Sequence, residues 1–212
     1  MKKLLFALMA LFLMVGTVET YAQNKQLEKE RKKEYKKQMK RYKKEDWKLF
    51  ASSRSFEVTL LTHFDKLNAM GEDANVITGI ASKFKSKNVG RQMAANSAAV
   101  EYARAAGAHV KGRVVSDIFG DGVEPTGEFD RFYAAYETAI EKEIKGEMQH
   151  SYSVIRELGD GTFELEAYYI VNETAASRAR MRAYENALKE SEAAQRYADK
   201  VANFVREGFK AE

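Results

Sequence analysis

The chain is 212 residues long, 31% of them charged, with a net charge of +4 and no cysteine. Disulfides, thiolate metal sites, cysteine nucleophiles and a lipid-carrying cysteine are therefore excluded, so the core alone must hold the fold. The length suits one ordinary domain plus an appendage, and a single proline argues against long flexible linkers.

Lys2 and Lys3 precede an uncharged apolar stretch from Leu4 to Val18, and Thr20-Tyr21-Ala22 closes it with small residues at the positions a signal peptidase reads. Residues 1–22 read as a cleaved secretory signal, leaving a soluble or peripheral chain from Gln23. The rival is a retained anchor, but about 15 apolar residues fall short of the ~20 that cross hydrocarbon as a helix. No later apolar run approaches that length, so no transmembrane segment is expected after cleavage.

The charge is unevenly placed. Residues 23–48 carry twelve basic and five acidic side chains, a net +7, whereas residues 49–212 carry −4. The arm has few helix breakers, and Glu28 with Lys32, Glu30 with Lys33 and Glu34 with Lys37 stand at supporting helical spacings. Leu27, Tyr35, Met39 and Tyr42 form a thin apolar seam, enough to dock on another helix but poor for membrane insertion. Its candidate binding residues are Lys32, Lys33, Lys36, Lys37, Lys40, Arg41, Lys43 and Lys44. An exported chain rarely meets nucleic acid, and no aromatic stacking module adjoins the run, so no nucleic-acid partner is expected. Lipid phosphates, lipopolysaccharide and wall polymers are the anions that remain. The bland reading is a solvated helix or spacer, with Trp47, Leu49 and Phe50 marking where it joins the body.

Beyond the arm, Phe56, Leu60, Leu61, Phe64 and Leu67 keep near-helical spacing until "MGEDAN" breaks it. "NVITGIASKF" reads as a first strand, with Gly79 as a bulge or a close backbone approach. Asn88 to Asp117 is an alanine-rich stretch in helical register, and Gly107 within it implies that something crosses closely. A glycine-rich loop follows over Phe119 to Glu128, then Phe129, Phe132, Tyr133, Tyr136, Ile140 and Ile144 give a second amphipathic helix. Period-two patterning on either side of Asp160-Gly161 predicts a hairpin of two strands. From Glu173 to about Gly208 the pattern is helical once more, roughly 50 Å if continuous, and so long enough to overhang the domain and pair with the basic helix or a second copy.

These elements predict an α+β fold. A small antiparallel sheet of about three strands is covered by the alanine-rich helix, with long charged helices at both ends. The expected organisation is a signal at 1–22, a basic arm at 23–48 and one domain at 49–212. An all-helical bundle is the competing reading.

"YKKEDWKLF" after a signal, followed by this order of elements, resembles a family of exported Bacteroidetes proteins with a KK-rich arm and a KKEGWK-like motif. More distantly it is similar to small antigenic outer-membrane lipoproteins and the N-terminal domain of a flagellar assembly protein. The resemblance spans about Lys43 to Asn172; Asp46 stands where the motif has glycine, and the lipoproteins' cysteine is lacking. It implies an α+β fold and an envelope location, and carries over no catalytic residue.

Site chemistry is sparse. His63, His109 and His150 lie far apart and none has metal-ligand spacing; His150 alternates onto the face of Tyr152 and Val154. No serine sits in a nucleophile elbow, and no glycine loop has phosphate-binding spacing. Asp117, Asp121, Glu124, Glu128 and Asp130 gather around the glycine-rich loop, where a solvated turn and a calcium site are rival readings, though the alternating calcium-loop spacing is missing. Asn172-Glu173-Thr174 matches a glycosylation sequon but reads as the start of the last helix. No cofactor is expected. The favoured function is a non-catalytic exported envelope protein that binds an anionic surface or assembles with itself or another protein. The alternative is an envelope hydrolase whose site is built from distant segments.

Overall fold

The computed structural model describes residues 25, 26, 28–120, 127 and 129–209. Residues 1–22, read as a signal, Leu27 of the apolar seam, and Asp121, Glu124 and Glu128 of the acidic loop lie outside the described residues. The chain divides into two compact units, one made of residues up to Asp46 with Arg54–Gly71, the other of Trp47–Ser53 with Glu72 onward. Residues 54–71 thus group with the basic arm in the first unit.

In the first unit, helix α1 (residues 28–44) and helix α2 (Phe56–Met70) form an antiparallel pair. Their contacts run in opposite chain directions: Arg31 Nη1 donates to Asn68 Oδ1 at 2.6 Å, Tyr35 meets Phe64 edge-on at 6.4 Å, and Tyr42 stacks on Phe56 at 5.4 Å. The apolar seam of a charged rod needs a partner, and α2 supplies one with Leu60, Phe64 and Leu67 buried. Ser55 caps the start of α2, its side chain accepting from Val58 N at 3.3 Å. Gly71 ends it at φ 62, a conformation only glycine adopts without strain.

The second unit is built on a four-stranded antiparallel sheet in the order β1-β3-β4-β2. Its strands are β1 (Lys48–Leu49), β2 (Ala74–Phe84), β3 (Gln149–Glu157) and β4 (Phe163–Asn172). The sheet settles against the all-helical reading. The Asp160-Gly161 turn joins β3 to β4, with Gly161 at φ 75 and Asp160 Oδ1 accepting from Thr162 N at 3.0 Å. Strand β1 has only two residues, too short for any periodic signal, and sequence reading missed it.

Helix α3 (Lys87–Val114) lies on β2 and β4. Its alanines permit a very close approach. A β-carbon on Gly79 of β2 would run into the Ala94 carbonyl and meet the Ala98 methyl at 3.0 Å, so Gly79 is a close approach. The irregularity in β2 falls later, between Ala81 and Phe84, where Lys83 takes φ 57. Gly107 is likewise crossed, by the Glu137 side chain of helix α4 (Asp130–Lys145). Along α4 the period of three and four residues buries Phe132, Tyr133, Tyr136, Ile140 and Ile144.

The long overhanging C-terminal helix is not found. The segment instead forms α5 (Glu173–Ala187), a short turn, α6 (Glu192–Arg196) and α7 (Ala198–Glu207), and α7 returns onto α5 and α3. Ser191 adopts extended backbone and caps α6, its side chain accepting from Ala194 N at 3.1 Å. The return buries Val201, Phe204 and Val205, which a straight helix would leave in water. The apolar stripe of α7 is therefore buried within the unit. Asn172 does start α5 as expected, accepting from Thr174 N at 3.0 Å, and Gly208 ends α7 at φ 72.

His150 also differs from expectation. A bulge between His150 and Tyr152 places His150 opposite Tyr169, whereas Tyr152 pairs with Tyr168, so His150 and Tyr152 occupy opposite faces. The His150 Nε2 lies 2.7 Å from Ser153 Oγ.

Candidate functional site

An α-helix advances about 100° per residue, which puts Lys25, Lys29, Lys32, Lys33, Lys36, Lys37, Lys40, Lys43 and Lys44 within an arc of about 140°. Glu28, Glu30, Glu34 and Glu45 all fall outside that arc. The structure agrees with this segregation: the seven candidate lysines from Lys32 to Lys44 are exposed, while Arg31, Tyr35 and Met39 are half-buried and Tyr42 is buried. Arg41 differs from the candidate lysines in being half-buried, with its guanidinium 4.9 Å from the centre of the Tyr42 ring. Lys33 pairs with Glu30 at 2.7 Å and Lys37 approaches Glu34 at 3.7 Å, contacts worth little in open solvent. Lys32, Lys36, Lys40, Lys43 and Lys44 make no ion pair among the described residues. The result, from Lys29 to Lys44 of α1, is a one-sided cationic strip about 22 Å long.

A groove of about 270 Å³ opens between α1 and α2 at one edge of this strip. Arg31, Lys32 and Lys36 line it with Tyr35, Leu61 and Phe64, and Glu28 and Asp65 are the carboxylates present. Within the same unit His63 is 3% exposed, and burial, aided by Lys66 and Arg31, pushes its imidazole down to about 4. It is neutral near pH 7, with no spacing to a second ligand.

The second unit holds a polar knot that sequence reading did not foresee. Arg180, 1% exposed on α5, donates to Glu173 Oε1 at 2.5 Å, the Tyr102 hydroxyl at 2.8 Å and the Val205 carbonyl at 3.1 Å. Asn75 completes it by donating to Glu173 Oε2 at 2.6 Å. Burial pulls the guanidinium's affinity for its proton down, but Glu173 and Tyr102 more than offset this and leave it raised. Burial likewise raises the Tyr102 hydroxyl. The four residues come from β2, α3 and α5, up to 105 positions apart. One sequence signal existed, since Arg180 stands four residues from both Ala176 and Tyr184 on the buried stripe of its helix.

Beside the knot, a cavity of about 180 Å³ is lined by Glu72, Asn75, Glu173, Glu207, Gly208 and Phe209. Its polar groups are held in internal contacts: Glu173 by Arg180 and Asn75, and Glu207 by Arg113 at 3.2 Å. Arg113 also pairs with Asp117 at 2.9 Å, which ties one carboxylate of the acidic loop to α3. Asp130 starts α4, where a carboxylate favours the helix N-terminus. Among the described residues no group of three or more His, Asp or Glu is arranged to hold a metal ion. Nor is any described helix long and apolar enough to cross a membrane.

Comparison with known protein families, curated proteins and solved structures finds no match.

Proposed function

We propose that this chain is a non-catalytic, exported cell-envelope protein that attaches to a phosphate-rich anionic surface through the lysine strip of α1. The single observation that supports the reading is the segregation of lysines from carboxylates around that helix. A merely solvated helix gains most from mixing the two signs, because opposite charges three and four residues apart stabilise it and like charges there repel. Lys32, Lys36, Lys40, Lys43 and Lys44 on that arc forgo that stabilisation, with no ion pair among the described residues. A polyanion laid along the strip would neutralise them together. Export follows from the leader-like first 22 residues, and envelope placement from the resemblance of the arm and the "KKEDWK" motif.

The competing reading, an envelope hydrolase with a site assembled from distant segments, draws on the knot around Arg180. The contacts count against it, since Arg180 is engaged by two side chains and a carbonyl within the core.

The test compares the chain with a Lys32→Gln, Lys36→Gln, Lys40→Gln, Lys43→Gln variant for binding to inorganic polyphosphate at low and high salt. The unmodified chain is expected to bind at low salt and release at high salt, and the variant to bind far less at either. Equal binding by both proteins at low salt would contradict the reading.

A further inference from the structure

Lysines alone do not distinguish one polyanion from another, since wall polymers, polyphosphate and lipid headgroups all present phosphate. An apolar group beside them does. Val58 and Leu61 of α2 are 50% and 52% exposed, one turn apart on the same face of the helix. Leu61 also lines the groove that Lys32 and Lys36 enter from α1, so an exposed aliphatic side chain and unpaired cations meet there, with Val58 one turn away along α2.

We infer that α1 and α2 together dock on an anionic lipid bilayer, the lysine strip meeting headgroup phosphates while Val58 and Leu61 enter the acyl boundary. The inference rests on the anionic-surface reading and names a bilayer as the source of the anions. Single exposed aliphatics are ordinary on soluble proteins. Here two adjoin a strip of one charge sign, the combination that interfacial helices use, with apolar burial and attraction to anionic lipid adding together. A soluble polyanion offers Val58 and Leu61 no apolar phase. Glu28 and Asp65 also line the groove, so Arg31, Lys32 and Lys36 exceed its carboxylates by one cation. The two carboxylates oppose deep insertion and limit the contact to the headgroup boundary.

The experiment uses the chain from Gln23 onward and three probes: vesicles of phosphatidylcholine, vesicles with one quarter phosphatidylglycerol, and inorganic polyphosphate. Binding to the mixed vesicles is expected, with none to phosphatidylcholine alone. A Val58→Ser, Leu61→Ser variant is expected to lose about tenfold in affinity for the mixed vesicles and nothing for polyphosphate. Lys32→Gln with Lys36→Gln is expected to weaken both, by about fivefold per lysine at the vesicle surface. As a second readout, Leu61→Trp should shift its fluorescence to the blue on mixed vesicles and not on polyphosphate.

If the serine variant binds vesicles as tightly as the unmodified chain and the Leu61→Trp emission stays unshifted, the bilayer inference falls while the polyanion reading stands. If the unmodified chain binds neither vesicles nor polyphosphate, both fall together. Both apolar side chains are half exposed and outside the buried stripe of α2, so a matched helical circular dichroism signal shows that the serine variant retains its fold.

Discussion

Helix α1 and the segment from Glu173 to Gly208 look alike in sequence, each a run of charged helix formers with an apolar stripe, yet they fold differently. The first continues unbroken through residues 28–44 and shows its lysines to solvent; the second breaks twice and folds back over its own unit. The difference lies in how much apolar surface each must bury. The stripe of α1 is thin, and one neighbouring helix, α2, satisfies it. The C-terminal stripe is broad and includes Val201, Phe204 and Val205, which reach the core only if the chain turns at Ser191. Apolar period alone does not reveal where such a turn falls, because the residues on either side of the break keep helical register.

The largest expected effect tests the fastening of that return. Arg180 of α5 holds the Val205 carbonyl of α7, so Arg180→Ala removes the tie and leaves Glu173 and Tyr102 without their buried partner. A loss of about 3–5 kcal/mol is expected in urea unfolding, with α7 showing the earliest hydrogen exchange. An unchanged midpoint would mean the knot does not fasten α7.

In the first unit the expected probe is pH. His63 is held at about 4 against its ordinary 6.5, so the folded form resists a proton that the unfolded form accepts. Its contribution is complete above pH 6.5, declines as the pH falls, and is gone near pH 4, for an upper limit of about 3 kcal/mol. Urea midpoints measured between pH 8 and pH 4 should fall more steeply for the unmodified chain than for His63→Gln. Parallel curves would remove His63 from the account.

Smaller effects sharpen the comparison at the break and on the strip. Ser191→Ala is expected to cost about 1 kcal/mol, read as a lowered melting temperature, because the capping bond to Ala194 N is lost. Lys36→Gln should alter stability by less than about 0.5 kcal/mol, since an exposed lysine without an ion-pair partner contributes almost nothing to folding. A marked loss there would mean that the strip serves the fold.

Much of the fold was legible because short-range chemistry fixed it. Asp160-Gly161 marks the hairpin, Asn172 and Gly208 mark helix ends, and Gly79 and Gly107 mark close approaches. What escaped depends on contacts distant in sequence. Strand β1 exists only because Lys48 and Leu49 pair with Ile155 and Val154, and the bulge that turns His150 from Tyr152 shows only against β4. Residues 56–70 were legible as a helix, but their grouping with α1 rests on pairings such as Tyr42 with Phe56. For the candidate site, the lysines were readable one by one. Their single arc follows from helical spacing alone, whereas the contact of Arg41 with the Tyr42 ring shows only in the packed helix.

The most direct test of the cationic strip is the salt dependence of binding to inorganic polyphosphate, taken as the slope of log affinity against log salt concentration. A steep negative slope is expected for the unmodified chain, shrinking as Lys32, Lys36, Lys40 and Lys43 are changed to glutamine one after another, because each lysine withdrawn releases fewer counterions. A slope that stays the same through all four substitutions would contradict the strip as the binding surface.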